Sequence, residues 1–110
     1  MESAIGEYGR WLRSYQWDLL CTFTTRYDRP TVNGCRRMFE RFMDTCGPTA
    51  FAFGSIEKAG RYHLHVLLGG VPGLSTASVS KYWQRHGRAD VQKYDPIMGG
   101  AFYVTKGVQS

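Results

Sequence analysis

The chain has 110 residues, of which 43% are apolar, 15% aromatic and 21% charged, with a formal net charge of +5. This is the length of one domain, 1–110, with enough apolar mass for a buried core and a composition ordinary for a soluble globular chain. Its longest apolar runs have strand length, such as "VLL", which excludes a helical membrane span, and the basic balance favours an anionic partner, nucleic acid being the simplest.

Residues 2–14 are predicted to form an amphipathic helix, with Ile5, Tyr8 and Leu12 on one side and Arg10 and Arg13 elsewhere. Charges run through this N-terminus and leave no apolar stretch of the secretory kind, so a cytosolic location is expected. "WDLLCTFTT" (17–25) is rich in aromatic and β-branched residues and is predicted to be a strand. "RYDRP" is a turn. A helix follows over 31–46, with Met38, Phe39, Phe42 and Met43 inward, Arg36, Arg37 and Arg41 solvated, and "CGP" (46–48) as its stop.

"TAFAFGSIE" (49–57) and "RYHLHVLLG" (61–69) are predicted strands joined through "KAG" as a hairpin. After the loop "GGVPG", Ser75 or Ser78 caps a helix that ends near "RHG" (85–87). "RADVQKYD" (88–95) alternates like a strand, and Asp95 and Pro96 open a last helix reaching about Val108. Cys21, Cys35 and Cys46 are odd in number and form no CxxC pair, so they are expected to serve as small apolar residues. The order α-β-α-β-β-α-β-α favours an α+β domain, with helices packed largely on one face of a central antiparallel sheet and the other face free for a ligand.

The strand at 61–69 carries His63 and His65, which share one face, while Tyr62, Leu64, Val66 and Leu68 take the other and are expected in the core. Two imidazoles at this spacing can converge on one divalent ion, although two half-exposed histidines on an open sheet face explain an isolated pair as well. Glu57 is the candidate third ligand. A hairpin pairing Glu57 with His63, with loop Ala59–Gly60–Arg61, sets the carboxylate beside the imidazoles; a two-residue turn sets it on the opposite face. An oxygen ligand beside two imidazoles suits Mg²⁺ or Mn²⁺ at least as well as zinc. In the last helix, Ile97, Ala101, Val104 and Val108 form an apolar stripe, and Tyr103 and Lys106 fall together on the opposite side.

Taken together, these motifs resemble the HUH endonuclease superfamily over nearly the whole chain, in particular the rolling-circle replication initiators of plasmids, phages and small single-stranded DNA viruses. The apolar strand ending in threonines is matched by "CTFTT" (21–25), the histidine–hydrophobe–histidine motif by His63, Leu64 and His65, and tyrosine–x–x–lysine by Tyr103 and Lys106. The glycine-alanine run in "GGAFYVTK" is similar to that of bacterial and phage-type members.

The resemblance implies an RRM/ferredoxin-like sheet with flanking helices and a sequence-specific nickase acting on single-stranded DNA at a replication origin, often a hairpin. Tyr103 is then the nucleophile that leaves a 5′-phosphotyrosine and a free 3′-OH. His63, His65 and Glu57 hold Mn²⁺ or Mg²⁺, and Lys106 lowers the phenol's pKa or screens developing charge. Arg26, Arg29, Arg61, Arg88 and Lys93 are candidate DNA contacts, and Thr22 and Thr24 either touch DNA or fill strand positions. The expected setting is the cytoplasm of a prokaryotic host of a plasmid or phage, with a host or fused helicase as a further partner.

The chain departs from the family pattern in having one YxxK tyrosine, no third histidine after the pair, and only four residues beyond Lys106, as expected of a minimal initiator or an excised catalytic domain. Histidine-triad hydrolases need a third histidine where Leu67 stands, and two-histidine phosphoesterases need a second histidine motif that "RHGR" does not supply. A non-catalytic RRM-like binding module explains the fold, charge and aromatics, but not His63, His65 and Tyr103 together. A single-tyrosine transposase or relaxase shares the chemistry and differs mainly in substrate.

Overall fold

The computed structural model describes residues 15–26 and 31–95. The expected first helix (2–14), Arg29, and the expected last helix with Tyr103 and Lys106 lie outside the described residues. Within them the order is β1 (Trp17–Thr25), α1 (Val32–Cys46), β2 (Phe51–Ala59), β3 (Arg61–Gly69), α2 (Thr76–Gln84) and β4 (Gly87–Lys93). The four strands form one antiparallel sheet in the order β2-β3-β1-β4, an α+β arrangement. Strand β2 begins two residues later than the sequence suggests and runs on to Ala59, because the hairpin ladder continues almost to the turn.

Each helix starts where a hydroxyl side chain replaces a missing backbone acceptor. Thr31 Oγ1 accepts from the Gly34 amide at 2.9 Å, and Ser75 Oγ accepts from the Ser78 amide at 3.1 Å. The exposed arginines Arg36, Arg37 and Arg41 lie away from a stripe of Cys35, Phe42 and Cys46, which is buried. Met38, Phe39 and Met43 complete that stripe at the edge of the core.

Both helices bury their apolar faces on one side of the sheet, against Leu19, Cys21, Phe23, Leu64, Val66 and Leu68. Trp83 of α2 stacks on Phe23 of β1 at 4.5 Å, and Phe42 of α1 meets both edge-on at 4.9 and 5.9 Å. Three rings from three elements thus lock both helices to the middle of the sheet. The three cysteines are free and buried; burial pushes the Cys21 thiol up to about 12 and that of Cys46 up to about 11. No helix among the described residues is long and apolar enough to cross a membrane.

One irregularity was not expected from the strand pattern. Trp17 pairs with Gly69 but Leu19 pairs with Leu68, so β1 bulges at Asp18. The bulged residue is held by its carboxylate, which accepts from the Val71 amide at 2.8 Å, and by its carbonyl, which accepts from the Tyr94 amide at 3.0 Å. The bulge turns Trp17 away from the helices and onto Leu67, where Leu20, Phe53 and Tyr94 form a second, smaller apolar cluster.

Because Phe42 touches both other rings of the core, Phe42→Ala leaves a void that no single neighbour can fill. Urea unfolding is expected to show a loss of about 3–5 kcal/mol with an unchanged m-value.

Candidate functional site

On the sheet face away from α1 and α2, the register sets side chains in rows across the strands. One row runs Glu57, His63, Thr24, Arg88 from β2 to β4, and the next runs Ser55, His65, Thr22, Asp90. A third row, Phe53, Leu67, Leu20 and Gln92, leads into the apolar cluster. The histidine face is therefore polar toward the β2–β3 turn and apolar toward the opposite end.

The hairpin turns at Gly60, whose φ of +77° suits a residue without Cβ, and Ala59 and Arg61 are the last matched pair. That register pairs Glu57 with His63, the alternative that brings the carboxylate to the imidazoles. The side chain then reaches diagonally: Oε2 of Glu57 lies 3.1 Å from Nε2 of His65. His63 is held instead by β1, its Nδ1 standing 3.2 Å from Oγ1 of Thr24. His65 is 13% exposed and Glu57 58%, so the pair runs from a mostly buried imidazole to a solvent-facing carboxylate.

The three expected ligands thus share one corner of one face. As they stand they form a hydrogen-bonded pair and a threonine-anchored ring, and among the described residues no three His, Cys, Asp or Glu side chains are gathered into a ligand set. The side-chain types, two imidazoles and one carboxylate, are ones that oxygen- and nitrogen-accepting divalent ions use as ligands. Asp90 is a further carboxylate on this face, two strands from His65, about 10 Å at ordinary strand spacing.

The candidate DNA contacts divide by register. Arg61 and Arg88 share the histidine face and are exposed. Lys93 pairs with the core residue Leu19 and so belongs to the helix side. Arg26 is exposed at the end of β1, with Nη2 donating to the Gln84 carbonyl at 3.1 Å, which ties it to the end of α2. A groove of about 700 Å³ lies on the helix side, between α1 and the β2–β3 hairpin; Tyr62 lines it, with the Lys58 ammonium 5.6 Å above the ring. Tyr62 is therefore beside the core rather than fully in it, because α1 does not reach this edge of the sheet.

The other described tyrosines also stand away from the imidazoles. Tyr82 packs against the core from α2. Tyr15 stacks with Trp17 and Phe51 at the apolar end of the sheet. Tyr94 joins the Leu67 cluster with its hydroxyl buried and without a hydrogen-bond partner.

His86, the third histidine, is structural. Its amide donates to the Trp83 carbonyl at 2.7 Å, its carbonyl accepts from the Arg26 amide at 2.8 Å, and its ring leans on Trp83 at 5.1 Å. Burial, with Arg85 and Arg41 adding repulsion, holds the imidazole below its ordinary value.

No family model matches this chain, and no curated protein does. Among solved structures it is similar to the crystal structure of the hypothetical protein ORF119 from Sulfolobus islandicus rod-shaped virus 1, with 18% identity and a TM-score of 0.65 over 98% of this chain and 97% of that one. At that identity the likeness concerns the fold, which the viral protein shares from end to end.

The depressed His86 carries a pH signature with a defined sign. As pH falls through the ordinary histidine value of 6.5, the unfolded chain takes up a proton that folded His86 refuses, so stability declines. Urea midpoints at pH 7 and pH 5 are expected to fall further in the wild type than in His86→Gln. Equal falls would assign the loss to other groups.

Proposed function

We propose that the protein is a metal-dependent single-stranded DNA nickase and strand transferase that initiates rolling-circle replication, of the HUH kind that its motifs resemble. The observation that carries the reading is the common corner of His63, His65 and Glu57 on a sheet face that holds no helix among the described residues. A binding module does not call for two imidazoles and a carboxylate there, whereas metal-assisted phosphodiester chemistry can use such a set.

The resemblance makes Tyr103 the nucleophile, and the placement of the described tyrosines is compatible with that. The chain has seven tyrosines, and the four described ones stand at the apolar end, in the helix-side groove or against the core. Of the others, Tyr8, Tyr27 and Tyr103, only Tyr103 is followed by a lysine three residues on.

In the reaction the Tyr103 oxygen attacks the scissile phosphorus and loses its proton, and the P–O3′ bond breaks. The leaving oxygen takes a proton to become a 3′-OH, while the 5′-phosphate stays on the tyrosine. The exchange preserves the number of phosphoester bonds, so the same site rejoins ends. A phenol with an ordinary pKa near 10 is a weak nucleophile at neutral pH, and Lys106 favours its ionised form. His63, His65 and Glu57 would hold Mn²⁺ or Mg²⁺, which supplies charge withdrawal at the scissile phosphate. Arg61 and Arg88 flank this corner and neutralise backbone phosphates of the bound strand.

The substrate under this reading is single-stranded origin DNA, often presented by a hairpin, in the cytoplasm of a prokaryotic host of a plasmid or phage, with a host or fused helicase opening the duplex. One observation favours the rival, a non-catalytic single-strand binder: Tyr15 and Phe51 are 44% and 41% exposed, with ring centroids 6.5 Å apart. Aromatic pairs of this kind stack nucleobases without any chemistry.

Incubation with a single-stranded origin oligonucleotide and Mn²⁺ separates the two. A covalent adduct is expected in the wild type, none in Tyr103→Phe, and a slower one in Lys106→Ala, with strand binding retained in all three. An adduct mapped by mass spectrometry to a peptide without Tyr103 overturns the assignment, and no adduct at all favours the binder.

Placement also distinguishes the basic residues. Arg88→Ala is expected to weaken single-strand binding and lower the slope of log affinity against log salt by about 1, with Lys93→Ala close to wild type. The reverse ranking would move the DNA path to the helix side.

A further inference from the structure

Thr24 occupies the position where the core and the histidine face meet. Its carbonyl accepts from Nε1 of Trp83 at 3.3 Å on the helix side, and its hydroxyl lies 3.2 Å from Nδ1 of His63 on the other. Trp83 is fully buried and stacked on Phe23, so the Thr24 backbone is tied to the ring cluster of the core. A β-branched side chain on a pinned strand has little χ1 freedom, and the hydroxyl is held where it stands.

The two imidazoles have different partners. A carboxylate accepts and does not donate, so Nε2 of His65 carries a hydrogen toward Oε2 of Glu57. A hydroxyl can do either, and its choice at His63 decides which ring nitrogen keeps a lone pair. If Thr24 donates, the lone pair faces β1 and Nε2 is occupied by hydrogen. If Thr24 accepts, Nε2 keeps the lone pair at the end of the ring away from the threonine.

We infer that Thr24 is a positioning residue: Oγ1 accepts the Nδ1 hydrogen of His63, fixing the tautomer and the ring so that Nε2 is ready to ligate a divalent cation. This rests on the metal reading above and deepens it. Ligating histidines characteristically donate their second nitrogen to an oxygen acceptor, which orients the ring and raises its basicity. The site is then unequally prepared. His63 is set in advance by the core through Trp83 and Thr24, whereas His65 must first surrender its hydrogen bond to Glu57. The threonine of "CTFTT" at position 24 acquires a role distinct from DNA contact.

The test combines imidazole ¹⁵N chemical shifts of the metal-free protein with calorimetric titration of Mn²⁺. His63 in the wild type is expected to carry hydrogen on Nδ1. Thr24→Val, which keeps the shape and removes the acceptor, is expected to move His63 toward the Nε2–H tautomer and weaken Mn²⁺ binding about tenfold. Thr24→Ser is expected to restore both, which a loss of strand packing alone would not allow. A wild-type His63 with hydrogen on Nε2, or wild-type Mn²⁺ affinity in Thr24→Val, overturns the inference. If the wild type forms the Tyr103 adduct while Thr24→Val binds Mn²⁺ normally, this inference fails alone; if the wild type binds no Mn²⁺ and forms no adduct, it fails together with the nickase reading.

Discussion

The pairing of β2 with β3 about Gly60 governs everything on the histidine face. Side chains alternate with a period of two, so a slip of one residue would send Glu57 to the helix side and leave both imidazoles without a carboxylate. The slip is resisted from the helix side of the sheet. On β2, Ile56 packs against the helix-side core, and the slip would turn it outward. Turning such side chains outward costs about 1.5–3 kcal/mol each. The core thus enforces the geometry of a site that it does not touch.

A second consequence of the sheet is that its two faces are mechanically joined. Phe23 faces the helices and meets Trp83 and Phe42, while the next residue, Thr24, faces the imidazoles. The indole hydrogen bond to the Thr24 carbonyl carries the rigidity of the ring cluster through the sheet. A site built on such a strand holds its side chains more firmly than one built on loops. The bulge at Asp18 does the complementary work at the other end, moving Trp17 across to Leu67 and giving the histidine face an apolar half. The face thus carries charge and imidazole at one end and rings at the other.

Much of this was legible along the chain. The elements between residues 17 and 93 came out of apolar periodicity and capping residues, both of which act over a few neighbours; Thr31 and Ser75 cap as their positions suggest. The shared face of His63 and His65 followed from the geometry of any strand. The opposite faces of Arg88 and Lys93 were open to the same parity argument, yet proximity to a strand end obscured it. Cys35 and Cys46 were expected to act as small apolar residues, and they turn out to be the ends of the stripe that seats α1.

Composition and short-range pattern by themselves determined the α+β class, the strand and helix segments and the pairing of two imidazoles, because each depends on residues within one turn or one pleat. Only the tertiary structure decided that Glu57 reaches His65 diagonally rather than its direct partner His63, that Thr24 holds His63, that Asp18 bulges, and that His86 serves the fold. Those outcomes join residues as far apart as Thr24 and His63, and they depend on which strands become neighbours and on where a ladder slips by one. Local sequence does not encode that choice; the competition among whole-sheet packings, settled by the burial of Phe23, Phe42 and Trp83, does.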